Sequence, residues 1–143
     1  MIKSWISLEA SSNNNCGLML DFCFDNILIQ SMPLTTETQC FRHEFDDSTT
    51  SHRFEIKLSN KLPSQCKVNH LGEIVEDVWA EIKNFSMSDI PLGQVFYGKS
   101  LYFHDYNGAS KPTVGQFYEK IGCNGTVRFD FTTPVYAWLI ENL

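Results

Sequence analysis

The sequence predicts an all-β fold: an antiparallel β-sandwich of jelly-roll type, finished by a short C-terminal helix or an extended apolar tail. Three observations carry this. Short segments alternate apolar and polar residues with period two. Clusters of turn-forming residues separate them at even spacing. Patterns of helical period are scarce. Many short, evenly spaced strands are the signature of a sandwich or jelly roll.

Residues 3–8 read as the first strand, and Ser11-Ser12-Asn13-Asn14-Asn15 as the turn after it. Leu18, Leu20, Phe22 and Phe24 then alternate with Met19, Asp21, Cys23 and Asp25, and residues 27–31 follow as a further strand. Phe41, His43 and Phe45 alternate with Arg42, Glu44 and Asp46, which places His43 on the apolar side. The cleanest alternation sets Phe54, Ile56 and Leu58 against Arg53, Glu55 and Lys57, so the first three face the core and the others face water. Val78, Ala80 and Ile82 alternate with Trp79, Glu81 and Lys83, so Trp79 points away from its apolar neighbours. Residues 95–103 and 114–121 are the next strands, with Asn107-Gly108 between them. Asn124-Gly125 predicts a hairpin turn, because both residues tolerate positive φ. After it Val127, Phe129 and Phe131 alternate with Thr126, Arg128, Asp130 and Thr132.

The pattern breaks at Thr133-Pro134, and an apolar tail follows. Thr133 is placed to cap a short helix with Pro134 at its first position, where a missing N–H costs nothing. Val135, Trp138 and Leu139 then share one face, with Tyr136 and Ile140 on another. A terminus is normally polar and frayed. This one is expected to pack one side on the sandwich and to meet a second subunit or a particle surface with the other. Val135, Tyr136, Trp138, Leu139 and Ile140 form that expected interface, with Trp138 as its anchor.

The chain has 143 residues, 43% of them hydrophobic, which suits one domain over residues 1–143 with a substantial core. Its net charge of -6 argues against a nucleic-acid partner bound through a basic surface. No apolar stretch reaches membrane-spanning length, so membrane insertion is not expected, and the first residues lack the apolar core of a signal peptide. Cys16, Cys23, Cys40, Cys66 and Cys123 are an odd set without C-x-x-C spacing, which points to reduced thiols made in a cytosol.

No nucleophile elbow, P-loop, zincin helix or dinucleotide-binding glycine motif is present, and the four histidines are scattered, so no enzyme is expected. The sharpest chemical possibility is calcium. Asp105 and Asn107 place two oxygen ligands two residues apart before Gly108, an arrangement hard cations favour. The same tetrapeptide is an ordinary turn, since Asp and Asn bond their own backbone, and that is the stronger reading. Trp79, Tyr97, Tyr102, Tyr106 and Tyr118 offer an aromatic platform on which sugar rings stack; burial in a core or an interface is the competing and stronger account.

Three segments carry a resemblance. Ser51-His52-Arg53-Phe54-Glu55-Ile56-Lys57-Leu58-Ser59-Asn60-Lys61 resembles a strand of the form HTLEIELKNK. Glu81-Ile82-Lys83-Asn84-Phe85-Ser86-Met87-Ser88-Asp89-Ile90-Pro91-Leu92-Gly93 is similar to I-x-x-I-x-I-x-G-I-x-L-G, and residues 124–143 to NGTWTLKFTSPFYLWLLENL. Together, over residues 15–143, they resemble small sandwich proteins of tailed phages, cyanobacterial ones especially. That group in turn resembles calcium-dependent xylan-binding modules, which are jelly rolls. The set of calcium-binding Asp residues in one loop has no match here, so those ligands are not carried over.

What the resemblance and the apolar tail imply is a non-enzymatic virion component. It would be made in the host cytoplasm and dock on capsid or tail subunits, in a decorating or cementing role and as an oligomer. The alternative is a carbohydrate-binding module that recognises a host surface glycan through Trp79, Tyr97, Tyr102 and Tyr106, with calcium as the one cofactor for which the sequence offers ligands.

Overall fold

The computed structural model describes residues 2–106, 108 and 111–143. In chain order the strands are β1 (Lys3–Ser12), β2 (Met19–Phe24), β3 (Ile27–Pro33), β4 (Gln39–Asp46), β5 (Thr50–Ser59), β6 (Lys67–Val68), β7 (Ile74–Glu76), β8 (Ala80–Met87), β9 (Ile90–Pro91), β10 (Ser100–His104), β11 (Thr113–Gln116), β12 (Lys120–Ile121) and β13 (Gly125–Thr133), with helices α1 (Gln94–Lys99) and α2 (Val135–Asn142). One antiparallel sheet has the order β12-β8-β1-β4, with β9 beside β8; the other runs β11-β10-β13-β5-β2-β3. This is the predicted sandwich. A separate two-stranded ribbon, β6-β7, belongs to neither sheet.

The alternating residues fill the space between the sheets. Phe22 stacks on Phe41 across it at 4.2 Å, and Phe54 lies 5.8 Å from Phe41. Phe54, Ile56 and Leu58 are buried, Arg53 and Glu55 half-buried and Lys57 exposed, as the alternation requires. His43 is half-buried with its ring 4.8 Å from Phe24. None of the five cysteines is joined in a disulfide.

Four segments depart from the sequence reading. Residues 95–103 are not one strand: Gly93, at φ 55°, turns the chain into α1, and strand structure resumes at Ser100. The helix exists to drive Phe96 into the core, where it stacks on Phe85 at 3.8 Å and meets Phe129 edge-on at 5.3 Å. Residues 114–121 divide between the sheets, β11 pairing with β10 and β12 with β8, while fully buried Phe117 marks the crossing. Asn124-Gly125 makes no hairpin, since β12 and β13 lie in different sheets. The hairpin of β6 and β7 carries no period-two signal long enough to read.

The tail departs from its reading as well. A cis peptide bond joins Thr133 to Pro134, and Pro134 sits at the cap position, one residue before the helix. Thr133 does not cap it. Its hydroxyl donates to the Ser48 carbonyl, and the Val135 N–H is met instead by Asp47 Oδ1 at 2.8 Å. Val135, Trp138 and Leu139 do share one face, but that face packs wholly on this chain, with Trp138 edge-on to Phe129 at 5.5 Å. Trp138 is therefore a core residue and not the anchor of an interface. The opposite face leaves Tyr136 65% and Ile140 82% exposed.

Candidate functional site

The end of the sandwich that carries the β5–β6 and β12–β13 connections is built from polar pins. Asn124 reads the backbone of Lys61 from both sides: its Oδ1 accepts the Lys61 N–H at 3.0 Å and its Nδ2 donates to the Lys61 carbonyl at 2.8 Å. The Lys61 side chain is fully buried and donates to Asp77 Oδ1 and to the Gly122 carbonyl. Tyr102 points inward and ties down Cys123: its hydroxyl donates to the Cys123 carbonyl at 2.6 Å and accepts the Cys123 N–H at 2.9 Å. Burial raises the Tyr102 phenol well above its ordinary range, so it stays a neutral donor. At Gly125 a Cβ would lie 2.2 Å from the Phe103 carbonyl oxygen. Glycine is needed there for the close approach of β13 to β10, not for a turn.

Two grooves open on either side of the Lys61–Asp77 pair. The first, about 650 Å³, lies against β10 and β11, with Phe103, His104, Pro112, Val114 and Asn124 among its walls. The Arg128 guanidinium packs over the Phe103 ring at 4.7 Å. His104 sits between Tyr102 at 4.4 Å and Tyr106 at 4.6 Å. The Tyr106 N–H donates to His104 Nδ1 at 3.2 Å, so the neutral imidazole carries its proton on Nε2. The second groove, about 620 Å³, is walled by Trp79, Val78, Cys16, Gln65 and Val75. Trp79 is half-buried; its indole N–H donates to Glu81 Oε1 at 2.9 Å, and Lys120 Nζ lies 4.5 Å above its ring. That indole bond, aided by Lys83, holds the Glu81 carboxyl below its ordinary range.

The aromatic residues singled out in the sequence therefore separate. Tyr102 is buried and does not stack on a ligand. Tyr97 lies on α1, half-buried between Phe96 and Phe117, and builds the core more than a surface. Trp79 borders the second groove, and exposed Tyr106 packs on His104 of the first. Exposed Tyr118 bonds Gln116 at 2.7 Å.

Of the two residues expected to hold calcium, Asp105 and Asn107, only the first lies among the described residues. Asp105 Oδ1 accepts the Gly108 N–H at 2.9 Å, which is the ordinary turn. Among the described residues no three His, Cys, Asp or Glu side chains are grouped to hold a metal. Lys61 and Asn124, which line the first groove, and Asp77, which lines the second, were not visible as site residues in the sequence, where Asn60–Ser64 and Asn124-Gly125 look like plain turns.

No protein-family model matches the chain. No curated protein sequence matches it. Solved structures do. A selenomethionine form of vCBM60, described in connection with a circular permutation linking two families of calcium-dependent carbohydrate-binding modules, superposes with a TM-score of 0.57 at 13% identity, over 88% of this chain and 89% of that one. A structure of vCBM60 in complex with galactobiose gives 0.52 at 14% identity, over 87% and 96%. At such identity the likeness is one of architecture: this chain has the β-sandwich fold of that module.

Proposed function

We propose that this protein is a carbohydrate-binding module that works without catalysis. The observation that carries the proposal is the pair of grooves at one end of a sandwich whose fold is that of vCBM60. Each groove offers an aromatic face beside polar groups: Phe103 with His104 and Asn124 in the first, Trp79 with Gln65 in the second. A sugar ring presents an apolar face to an aromatic side chain and hydroxyls to donors and acceptors around it. The imidazole of His104 supplies such a group at the first groove. The virion-docking role expected from the sequence rests on the resemblance and the apolar tail, with the exposed Tyr136 and Ile140 as the surface it would use.

Affinity electrophoresis through gels containing xylan, galactan or other soluble glycans, with and without calcium or a chelator, tests the reading. Retention on at least one glycan is expected, weakened about tenfold or more by Phe103→Ala or Trp79→Ala. Absence of retention on every glycan under both conditions would refute it, as would retention that neither substitution alters.

A further inference from the structure

The two grooves beside the Lys61–Asp77 pair open on opposite faces of the sandwich, as strand alternation requires. On β10 Ser100 and Tyr102 are buried, so Leu101 and Phe103 point outward from their sheet. Val114, opposite Phe103 on β11, is 55% exposed. The first groove, which Phe103 and Val114 both line, therefore opens on the outside of that sheet. Trp79 lies between buried Val78 and Ala80, and its indole reaches Glu81, which stands between buried Ala80 and Ile82. The second groove, walled by Trp79, therefore opens on the outside of the other sheet. Packed sheets stack about 10 Å apart with the core between them, so their outer faces look away from each other.

The partition between the grooves is firm. Among the described residues none lines both. A turn of 3-10 helix, Pro63–Gln65, divides them, giving Pro63 to the first groove and Ser64 and Gln65 to the second. The Lys61 ammonium is fully buried on Asp77 and the Gly122 carbonyl, and Asn124 grips the Lys61 backbone from both sides. Moving that partition aside would strand a buried charge. We infer that the protein is bivalent: it holds two glycan segments at once, one on each face, and its ligand is a polysaccharide whose chains it cross-links. The inference rests on the carbohydrate-binding reading of the grooves and adds the number of ligands and their class. A short saccharide in one groove gains nothing from the other. On a polymer, a protein held through one groove meets further segments at high effective concentration, and two modest contacts together hold it roughly 100-fold more tightly than one.

Isothermal titration calorimetry of the full chain with short xylo- and galacto-oligosaccharides counts the sites. Two saccharides per chain are expected for the wild type, and one for each of Phe103→Ala and Trp79→Ala, with the affinity of the remaining site unchanged. Val114→Trp and Ser64→Trp, at exposed positions on the first and second groove, repeat the test by filling each groove without removing a packed ring. Light scattering after mixing with soluble xylan or galactan is expected to rise for the wild type and to stay flat for every single-groove variant, whose retention on the polymer falls roughly 100-fold. A monovalent dimer would also scatter, but it takes one saccharide per chain. One saccharide per chain in the wild type overturns bivalence and leaves the carbohydrate-binding reading standing, as does a single substitution that abolishes all binding. No binding of any saccharide or polymer overturns that reading and this inference with it.

Discussion

The two ends of the sandwich are sealed by different physics. At one, α2 lays Val135, Trp138 and Leu139 over Phe129 and Phe131, and apolar burial closes the core. At the other, Lys61, Asp77, Tyr102 and Asn124 hold the chain through hydrogen bonds to backbone and to each other. Apolar burial is non-directional and fills the space it finds. Hydrogen bonds are directional and fix a few points while leaving the space between them open. The grooves of about 650 and 620 Å³ lie at the pinned end, while a smaller one of about 460 Å³ is bordered by Phe131 and Trp138 at the other.

The comparison breaks most plainly at Trp138. Trp138→Ala should cost about 3–5 kcal/mol in chemical denaturation, while Ile140→Ala on the outer face of the same helix should stay within about 0.5 kcal/mol. Equal losses would mean that α2 is not an amphipathic seal. At the pinned end, Asp77→Ala strands a buried ammonium and should cost about 3 kcal/mol. The double change of Lys61→Met with Asp77→Leu should recover most of that, since removing both charges removes the need to pair them. A double variant no better than the single would show that the pair is not the organising contact.

A smaller effect comes from His43, between the sheets. Burial lowers its pKa from the ordinary histidine value, against the opposing pull of Asp25 and Glu44. The unfolded chain therefore takes up the proton first as the pH falls. The stabilising contribution is complete above about pH 6.5, the ordinary value, and is lost as the pH drops through it toward the lowered folded value. Melting curves from about pH 7.5 to about pH 5.5 should show a shallower decline for His43→Leu than for the wild type.

How far the sequence could be read follows from the same contrast. Period-two alternation is a local signal, and it placed Phe22, Phe24, Phe41, Phe45, Phe54, Phe129 and Phe131 in the core, where the structure has them. Helical spacing likewise separated the inner and outer faces of α2. It failed where a local preference met a distant demand. Val95-Phe96-Tyr97 looks like a strand but coils because Phe85, Phe117 and Phe129 leave a slot for Phe96. Tyr102 seemed available to a ligand because nothing in its own segment reveals Cys123 as its partner. Of the candidate site, Trp79 and Tyr106 were legible as outward aromatics. The Lys61–Asp77 pair was not, since 16 residues of sequence and a free-standing ribbon separate its members.

The clamp on Asn124 has a bearing on how the molecule ages. An asparagine followed by glycine is the sequence most prone to deamidation, because the glycine nitrogen readily reaches the side-chain carbonyl carbon and closes a succinimide ring. Here both ends of the amide are engaged with Lys61, and Gly125 is committed to the ladder with His104 and Leu58. Cyclisation would have to break that arrangement. The product aspartate would then face the Lys61 carbonyl with an acceptor where a donor had been. In the folded chain the dipeptide is thus shielded from its own chemistry, and each unfolding event exposes it.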